Sequence, residues 1–255
     1  MRKLGLKVFS INRAYCEPAR ELHARGVFDF IELYVVPGTF ANTIGFWKDF
    51  TVPFVIHASH FKHGVNLARR DCEAVNRGAY EEAARFADAL HSRYIIFHPG
   101  IGGDIRETVR QLALIDDKRI LIENKPYHTI QDKNVICNGY SPRDIRLVMD
   151  KSGCGFCMDV GHCFCAAKAV GRDAFEYLAD FLNLRPVMAH LMDNMTDTTV
   201  DRHLHLGNGD YDVPVVLSML PDNMMITIET DKDSEIALDD FVRDVQRLRK
   251  LEKSV

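Results

Sequence analysis

Short apolar segments recur along the whole chain and are separated by longer, more polar segments. The apolar segments are rich in β-branched and aromatic residues and are bounded by turn-forming or polar residues, which is typical of buried strands. There are eight of them: LKVFSI, FDFIELYVV, FVIHAS, YIIFHPG, RILIEN, GFCMDV, VMAHLM and MITIET. The pattern therefore predicts eight buried strands.

Helical periodicity marks most of the segments between these strands, because apolar residues recur there at spacings of three and four. The clearest examples are CEPARELHARG, LARRDCEAVNRGAYEEAARFADALH, DIRETVRQLALIDD, SPRDIRLVMDKS, DAFEYLADFLN, VPVVLSML and IALDDFVRDVQRLRKLEKS. A helix after nearly every strand implies a parallel sheet with right-handed crossovers. Eight such units in 255 residues have the length of a closed (β/α)8 barrel. We predict a single TIM-barrel domain of the α/β class over residues 1–255.

Composition narrows the classes of function. With 47% hydrophobic and 27% charged residues the chain can bury a large core, and it has no apolar run long enough to span a membrane. The N-terminus lacks the features of a signal peptide, so we expect a cytoplasmic protein, without membrane partners and monomeric. A net charge of -4 gives no overall attraction to polyanions, although a local basic rim could still bind nucleic acid.

Four of the seven cysteines crowd together at Cys154, Cys157, Cys163 and Cys165. In a cytosolic chain, an odd number of cysteines indicates reduced thiols. The spacing C-x2-C-x5-C-x-C matches neither a zinc ribbon nor a zinc finger. We interpret these cysteines as small buried hydrophobic residues.

A metal-ligand residue type ends each of six consecutive predicted strands. These residues are His57, His98, Glu123, Asp159, His190 and Glu229. In a (β/α)8 barrel the C-terminal strand ends converge on one mouth, so residues distant in sequence meet there. Three imidazoles and three carboxylates packed together would remain undersatisfied without cations to neutralise them. Mixed nitrogen and oxygen ligands favour Zn²⁺, Mn²⁺ or Fe²⁺.

Two further motifs extend this cluster. In DVGH, His162 lies three residues after Asp159, in the turn that opens the next helix. In VDRHLHLG, Asp201 and His203 alternate, and in an extended segment both would face one side. His205 falls on that side as well, but we favour the nearer pair. The long connections that contain residues 125–140 and 194–212 follow strands and are candidate substrate loops.

The series VIHAS, FHPG, IEN, MDVGHCF, AHLMDN, VDRHLHLG and TIET, in this order, resembles the endonuclease IV branch of the xylose isomerase-like (AP endonuclease family 2) barrels. The resemblance covers about residues 54 to 231 and implies a TIM barrel with up to three metal ions, usually zinc, that cleaves DNA phosphodiesters in DNA repair. It implies His57, His98 and Glu123 as ligands of a first ion. Glu123, Asp159, His190 and Glu229 would hold a second ion, and His162, Asp201 and His203 a third.

This ligand set suits phosphodiester hydrolysis. Close cations lower the pKa of a water nucleophile and offset the charge on phosphoryl oxygens in the transition state. Glu229 could orient or deprotonate that water, and Glu123, which joins two of the ligand sets, is the second candidate catalytic residue. Basic residues beside the ligands could meet phosphate, and these are Lys62, His63, Lys125, Arg202 and Lys232.

The chain departs from the endonuclease IV pattern where that family grips DNA. SINRAYCEP and ELYVVPGTF follow the first two strands, His60 replaces an intruding aromatic residue, and NKPYH follows Glu123. Damaged DNA is therefore only one candidate substrate, beside a smaller phosphate ester.

Two alternatives remain open. A sugar or sugar-phosphate isomerase or epimerase of the same superfamily would need only Glu123, Asp159, His190 and Glu229 around one divalent ion. A barrel that binds a ligand without catalysis is the third possibility, although a mouth so dense in ionisable groups is costly to keep without a function.

Overall fold

Eight parallel strands pair in chain order, and the last pairs with the first to close the barrel. In the computed structural model, which describes residues 2–130 and 132–253, the strands are β1 Lys3–Phe9, β2 Phe30–Tyr34, β3 Phe54–His57, β4 Ile95–Phe97, β5 Ile120–Glu123, β6 Gly155–Asp159, β7 Met188–Leu191 and β8 Met225–Ile228. All eight coincide with predicted strands. The predicted TIM-barrel fold is confirmed.

The helices follow the strands as α1 Cys16–Ala24, α2 Phe40–Trp47, α3 Glu73–Ala89, α4 Ile105–Ile115, α5 Pro142–Ser152, α6 Val160–Val170, α7 Ala174–Leu182, α8 Val213–Met219 and α9 Asp239–Glu252. Two of them, α2 and α6, were not predicted from periodicity. All residues from Val160 to Ala167 are buried, so this part of α6 has no polar face to produce an amphipathic signal. None of the helices among the described residues is both long and apolar enough to cross a membrane.

Apolar side chains fill the interior of the barrel beneath its mouth. This inner cluster consists of Phe30, Val55, Ile96, Leu121, Cys157 and Met188, each at most 2% exposed. Two glycines make room for it, because a Cβ at Gly5 would overlap the ring of Phe30 and one at Gly155 would lie 2.5 Å from Leu121. The interior is therefore a packed core that supports the mouth from below.

The connections after β5 and β7 are the long loops that the sequence predicts, and both lie at the C-terminal end of the barrel. Isolated backbone bridges order them, including His128 with Ile136 and Asp193 with Leu204. All seven cysteines are free thiols, and every one except Cys72 is buried, in agreement with their interpretation as small buried residues.

Candidate functional site

The nine predicted ligands gather at the C-terminal mouth of the barrel, in the space enclosed by the strand ends and the two long loops. Register explains part of this convergence, because His190 is the strand neighbour of Asp159 in β6 and of Thr227 in β8. Six of the nine residues are buried, while the side chains of His98, Glu229 and His203 are 11%, 15% and 26% exposed. The predicted ligands thus come from strand ends, from the start of α6 and from the loop after β7.

Glu123 joins the first set of predicted ligands. The Nε2 atoms of His57 and His98 each lie 3.2 Å from a carboxylate oxygen of Glu123, one on each oxygen. The ligand atoms of this set lie within 4.8 Å of one another, as expected for residues that share one ion.

The second set surrounds Nδ1 of His190. This atom lies 2.6 Å from Oε2 of Glu229, 3.5 Å from Oδ2 of Asp159 and 3.6 Å from Oε2 of Glu123. None of these contacts has the geometry of a hydrogen bond, so Nδ1 of His190, Oε2 of Glu229 and Oδ2 of Asp159 are buried atoms without hydrogen-bond partners among the described residues. Three unpaired polar atoms that converge on one point are costly alone and fit a shared cation.

The third set centres on Oδ2 of Asp201, which lies 2.7 Å from Nε2 of His203 and 3.3 Å from Nε2 of His162. Neither this set nor the second is contained as a whole in a group whose ligand atoms all lie within 4.8 Å of one another. Gly161 makes room for it, since a Cβ there would lie 3.1 Å from Oδ1 of Asp201.

Asp201 and His203 are in contact, but the predicted reason for this contact is wrong. The two were expected on one side of an extended segment, but residues 198–203 form no strand and His203 adopts a left-handed backbone with φ of 48°. A turn, not strand alternation, brings the imidazole to the carboxylate. Such a conformation is rare for a residue other than glycine and is frequent at functional sites.

The imidazoles are oriented as metal ligands are. In four of the five, one ring nitrogen lies within hydrogen-bond distance of a fixed acceptor, and the other nitrogen faces the carboxylates. The acceptors are the carbonyl of Ala58 for Nδ1 of His57 (2.8 Å), the carbonyl of Asn124 for Nδ1 of His162 (2.9 Å), the carbonyl of Glu229 for Nδ1 of His203 (2.7 Å) and Oε2 of Glu32 for Nε2 of His190 (2.9 Å). The residues present therefore fit metal ions.

Lys7 and Glu32 belong to the site but were missed by the sequence analysis. They are neighbours in the register of β1 and β2, and Nζ of Lys7 lies 3.1 Å from Oε1 of Glu32. The same Nζ lies 2.6 Å from Oε1 of Glu229. The available signal was a single charged residue inside each of two otherwise apolar strands, LKVF and FIELY, which is unusual in a barrel interior.

Cys157 also reaches the site, with its Sγ 3.4 Å from Nε2 of His190. Burial raises the pKa of Cys157 to about 12. The side chain is fully buried and packs with the inner cluster below the site.

Burial and the neighbouring cationic groups shift the pKa values of Glu123 and Glu229 in opposite directions. Burial would raise the pKa of Glu123, but the imidazoles of His98 and His190 outweigh it and hold the pKa well below its usual range. For Glu229 burial is likewise outweighed, chiefly by Lys7 and His190, and the pKa is lowered. Both carboxylates are therefore ionised and able to bind cations.

A cavity of about 610 Å³ opens from these ligands to solvent. All five basic residues noted in the sequence line it, but only Lys125 is buried. Nζ of Lys125 lies 3.2 Å from Nε2 of His162 and 3.9 Å from Oε1 of Glu123. In the same cavity the ring of His60 stacks on that of His98, with centroids 5.0 Å apart, and contacts Tyr34.

These features define a TIM barrel with several possible metal-binding clusters at its mouth. The chain belongs to the xylose isomerase-like TIM barrel family, whose model matches residues 23–251.

Similar proteins of known sequence or structure include endonucleases and an epimerase-like protein. A probable endonuclease 4 from Thermoplasma volcanium is 28% identical over 171 residues, which are 61% of this chain and 58% of that protein. Endonuclease IV from Thermus thermophilus superposes with a TM-score of 0.74 at 18% identity, over 99% of this chain and all of the other. A D-tagatose 3-epimerase-like protein gives a TM-score of 0.73 at 21% identity, over 99% and 98% of the two chains. The structural likenesses establish the fold alone.

Proposed function

We propose that the protein is a metal-dependent phosphodiester hydrolase with a multinuclear Zn²⁺ or Mn²⁺ centre. The observation that carries the proposal is the orientation of the imidazoles on both sides of the central carboxylates. His57, His162 and His203 each direct Nε2 at a carboxylate of the site while the carbonyl of another residue accepts from Nδ1. An enzyme with one ion at Glu123, Asp159, His190 and Glu229 would not need these three additional oriented imidazoles.

Each ion would have its own set of residues. His57, His98 and Glu123 would hold the first ion, Asp159, His190 and Glu229 would complete the second set with Glu123, and His162, Asp201 and His203 would hold the third. When bound, the ions would lower the pKa of a water nucleophile and stabilise charge on the phosphoryl group. Lys7 holds Oε1 of Glu229 at 2.6 Å, which leaves Oε2 facing the ligands. In this arrangement Glu229 would orient the attacking water, and Glu123 would contribute to both of the first two ligand sets.

The walls of the cavity suit a small phosphodiester. Its volume of about 610 Å³ is in the range of small-molecule sites and matches a single nucleotide or diester better than an intact duplex. The ammonium of Lys125, buried beside His162, could contact a non-bridging phosphate oxygen. Damaged DNA remains a candidate only with the target nucleotide turned out of the helix.

A sugar or sugar-phosphate isomerase or epimerase is the second candidate. It is favoured by the pairing of Glu123 and Glu229 around His190, because two carboxylates that flank a sugar can move protons at the carbon beside its carbonyl. In that case His57, His98, Asp201 and His203 would bind sugar hydroxyls.

Turnover assays separate the two candidates. Protein purified without chelator is given a chromogenic phosphodiester, DNA with an abasic site, and a panel of ketoses and ketose phosphates. Hydrolysis of either diester that disappears after dialysis against a chelator and returns with Zn²⁺ or Mn²⁺ supports the hydrolase. Interconversion of a sugar without diester hydrolysis would instead support the isomerase.

A further inference from the structure

His205 lies outside the nine predicted ligands, although it shares a loop with Asp201 and His203. Its Nδ1 lies 2.8 Å from Oδ2 of Asp244 in α9, and its Nε2 lies 3.1 Å from Oδ1 of Asp233 in the loop after β8. The imidazole therefore connects two segments that follow different strands.

Asp244 is arranged to orient this imidazole. It is 2% exposed, and its oxygens accept hydrogen bonds from Oγ1 of Thr230 at 2.7 Å and from the backbone N–H of Leu206 at 2.9 Å. Because the carboxylate is fixed by these donors, it accepts the Nδ1 proton of His205 and leaves Nε2 to face Asp233. A buried carboxylate behind a histidine is the usual outer partner of a histidine that binds metal.

Asp240 provides a second, independent observation, because one of its carboxylate oxygens is buried without a hydrogen-bond partner among the described residues. The residue is 2% exposed, and its Oδ2 accepts from the backbone N–H of Asp233 at 3.0 Å. Its Oδ1 is buried and has no hydrogen-bond partner among the described residues. An unpaired oxygen on a buried carboxylate is costly. Ligand atoms of His205, Asp233 and Asp240 lie within 4.8 Å of one another.

Two cations lie beside this group, but their hydrogen bonds go to other atoms than Oδ1 of Asp240. Arg243 contacts the other oxygen of Asp233 at 2.8 Å, and Nζ of Lys232 donates to the carbonyl of Thr230 at 2.7 Å. Neither is hydrogen-bonded to Oδ1 of Asp240. Oδ1 of Asp240 therefore remains a buried acceptor without a hydrogen-bond partner in the described part of the chain, although cations lie nearby.

We propose that His205, Asp233 and Asp240 form an additional, distal site for a divalent transition-metal ion, with Asp244 as the outer carboxylate of His205. One imidazole and two carboxylates suit Zn²⁺, Mn²⁺ or Fe²⁺. An ion there joins the loop of Asp201 and His203 to the loop after β8 and to α9. It thereby fixes the part of the mouth that holds the third set of predicted ligands.

Metal content tests the distal site. The wild type, Asp240→Asn and Asp233→Asn are dialysed against a chelator, reloaded with Mn²⁺ alone, freed of excess metal and analysed for manganese per chain. Each variant should hold one ion fewer than the wild type and should lose part of the rise in Tm that Mn²⁺ gives. Asp239→Asn is the matched control, because Asp239 is an exposed carboxylate on the same helical turn and should bind as the wild type does.

Two variants keep the test decisive. The side chain of Asp233 is 58% exposed, so its replacement will leave the fold intact if that of the buried Asp240 does not. Equal manganese content and an equal rise in Tm in the wild type, Asp233→Asn and Asp239→Asn would overturn the distal site. The result does not depend on turnover, so it stands apart from the proposed hydrolase activity.

Discussion

Oε2 of Glu32 accepts a hydrogen bond from Nε2 of His190 at 2.9 Å, and neither side chain is exposed to solvent. Thr227 donates to the same oxygen at 2.7 Å, so the carboxylate is held on both sides. This contact selects the tautomer of His190 and leaves Nδ1 to face Glu123, Asp159 and Glu229. Glu32 is therefore a positioning residue, which acts on the site through His190.

Replacement of this carboxylate should weaken metal binding. We expect Glu32→Gln to lower the affinity for Zn²⁺ by roughly 10- to 100-fold, because the neutral amide oxygen is a weaker acceptor and no longer raises the basicity of His190. Competition with a chromophoric chelator measures the affinity. Glu21→Gln, on the exposed side of α1, is the control. Equal affinities for Glu32→Gln and the control would contradict the positioning role.

Lys7 should stabilise the protein most when metal is absent. Its ammonium lies between Glu32 and Glu229, and Lys7→Met leaves two largely buried carboxylates without this partner. In the presence of a chelator at pH 7, we expect the free energy of unfolding to fall by about 3 kcal/mol. With Zn²⁺ the loss should be smaller, because bound cations replace the missing positive charge. Urea denaturation under both conditions measures this. An equal loss with and without Zn²⁺ would count against a shared electrostatic role.

Metal binding to the third set should release protons. Burial disfavours the charged imidazoles, but Asp159 near His162 and Asp201 near His203 outweigh it and raise their pKa values to about 9 and about 10. Both are protonated at pH 7 in the metal-free protein, and a metal needs the neutral imidazole. Affinity should therefore rise with pH towards 9, with close to two protons released at pH 7.

Calorimetry in buffers with different ionisation enthalpies counts these protons. His203→Ala should release about one proton fewer than the wild type. Proton release that is the same in the variant, or an affinity independent of pH from 6 to 9, would refute the assignment of His203.

The parts of the fold that the sequence predicts are those with a local signal. Buried strands such as YIIF and ILIE are continuous apolar runs, and their polar C-terminal residues, His98 and Glu123, are visible as soon as the barrel is inferred. Helix α6 was expected after DVGH, but periodicity does not mark it, because burial of Val160 to Ala167 removes its amphipathic pattern. The turn at His203 was missed because a left-handed backbone at a histidine has no sequence signature.

The place of Lys7 and Glu32 in the site becomes visible only in the closed barrel. Each interrupts an apolar run of its strand, and only the register of β1 and β2, together with the closure of β1 on β8, brings Lys7 to Glu229 and Glu32 to His190. These contacts join residues more than 150 positions apart for Glu32 and His190, so no local pattern predicts them. The distal group was missed for the same reason, since Asp240 and Asp244 resemble ordinary acids of an amphipathic helix.

The central claim is a multinuclear metal centre that hydrolyses phosphodiesters, and one paired measurement tests it most directly. Metal per chain and diester turnover are determined together for the wild type, His98→Ala and His203→Ala, with His23→Ala in α1 as the control. We predict several ions in the wild type, about one ion fewer in each site variant, and turnover lowered on the order of 100-fold or more in both, with folding unchanged. A wild type with a single ion that neither substitution removes, and with no diester turnover, would contradict it.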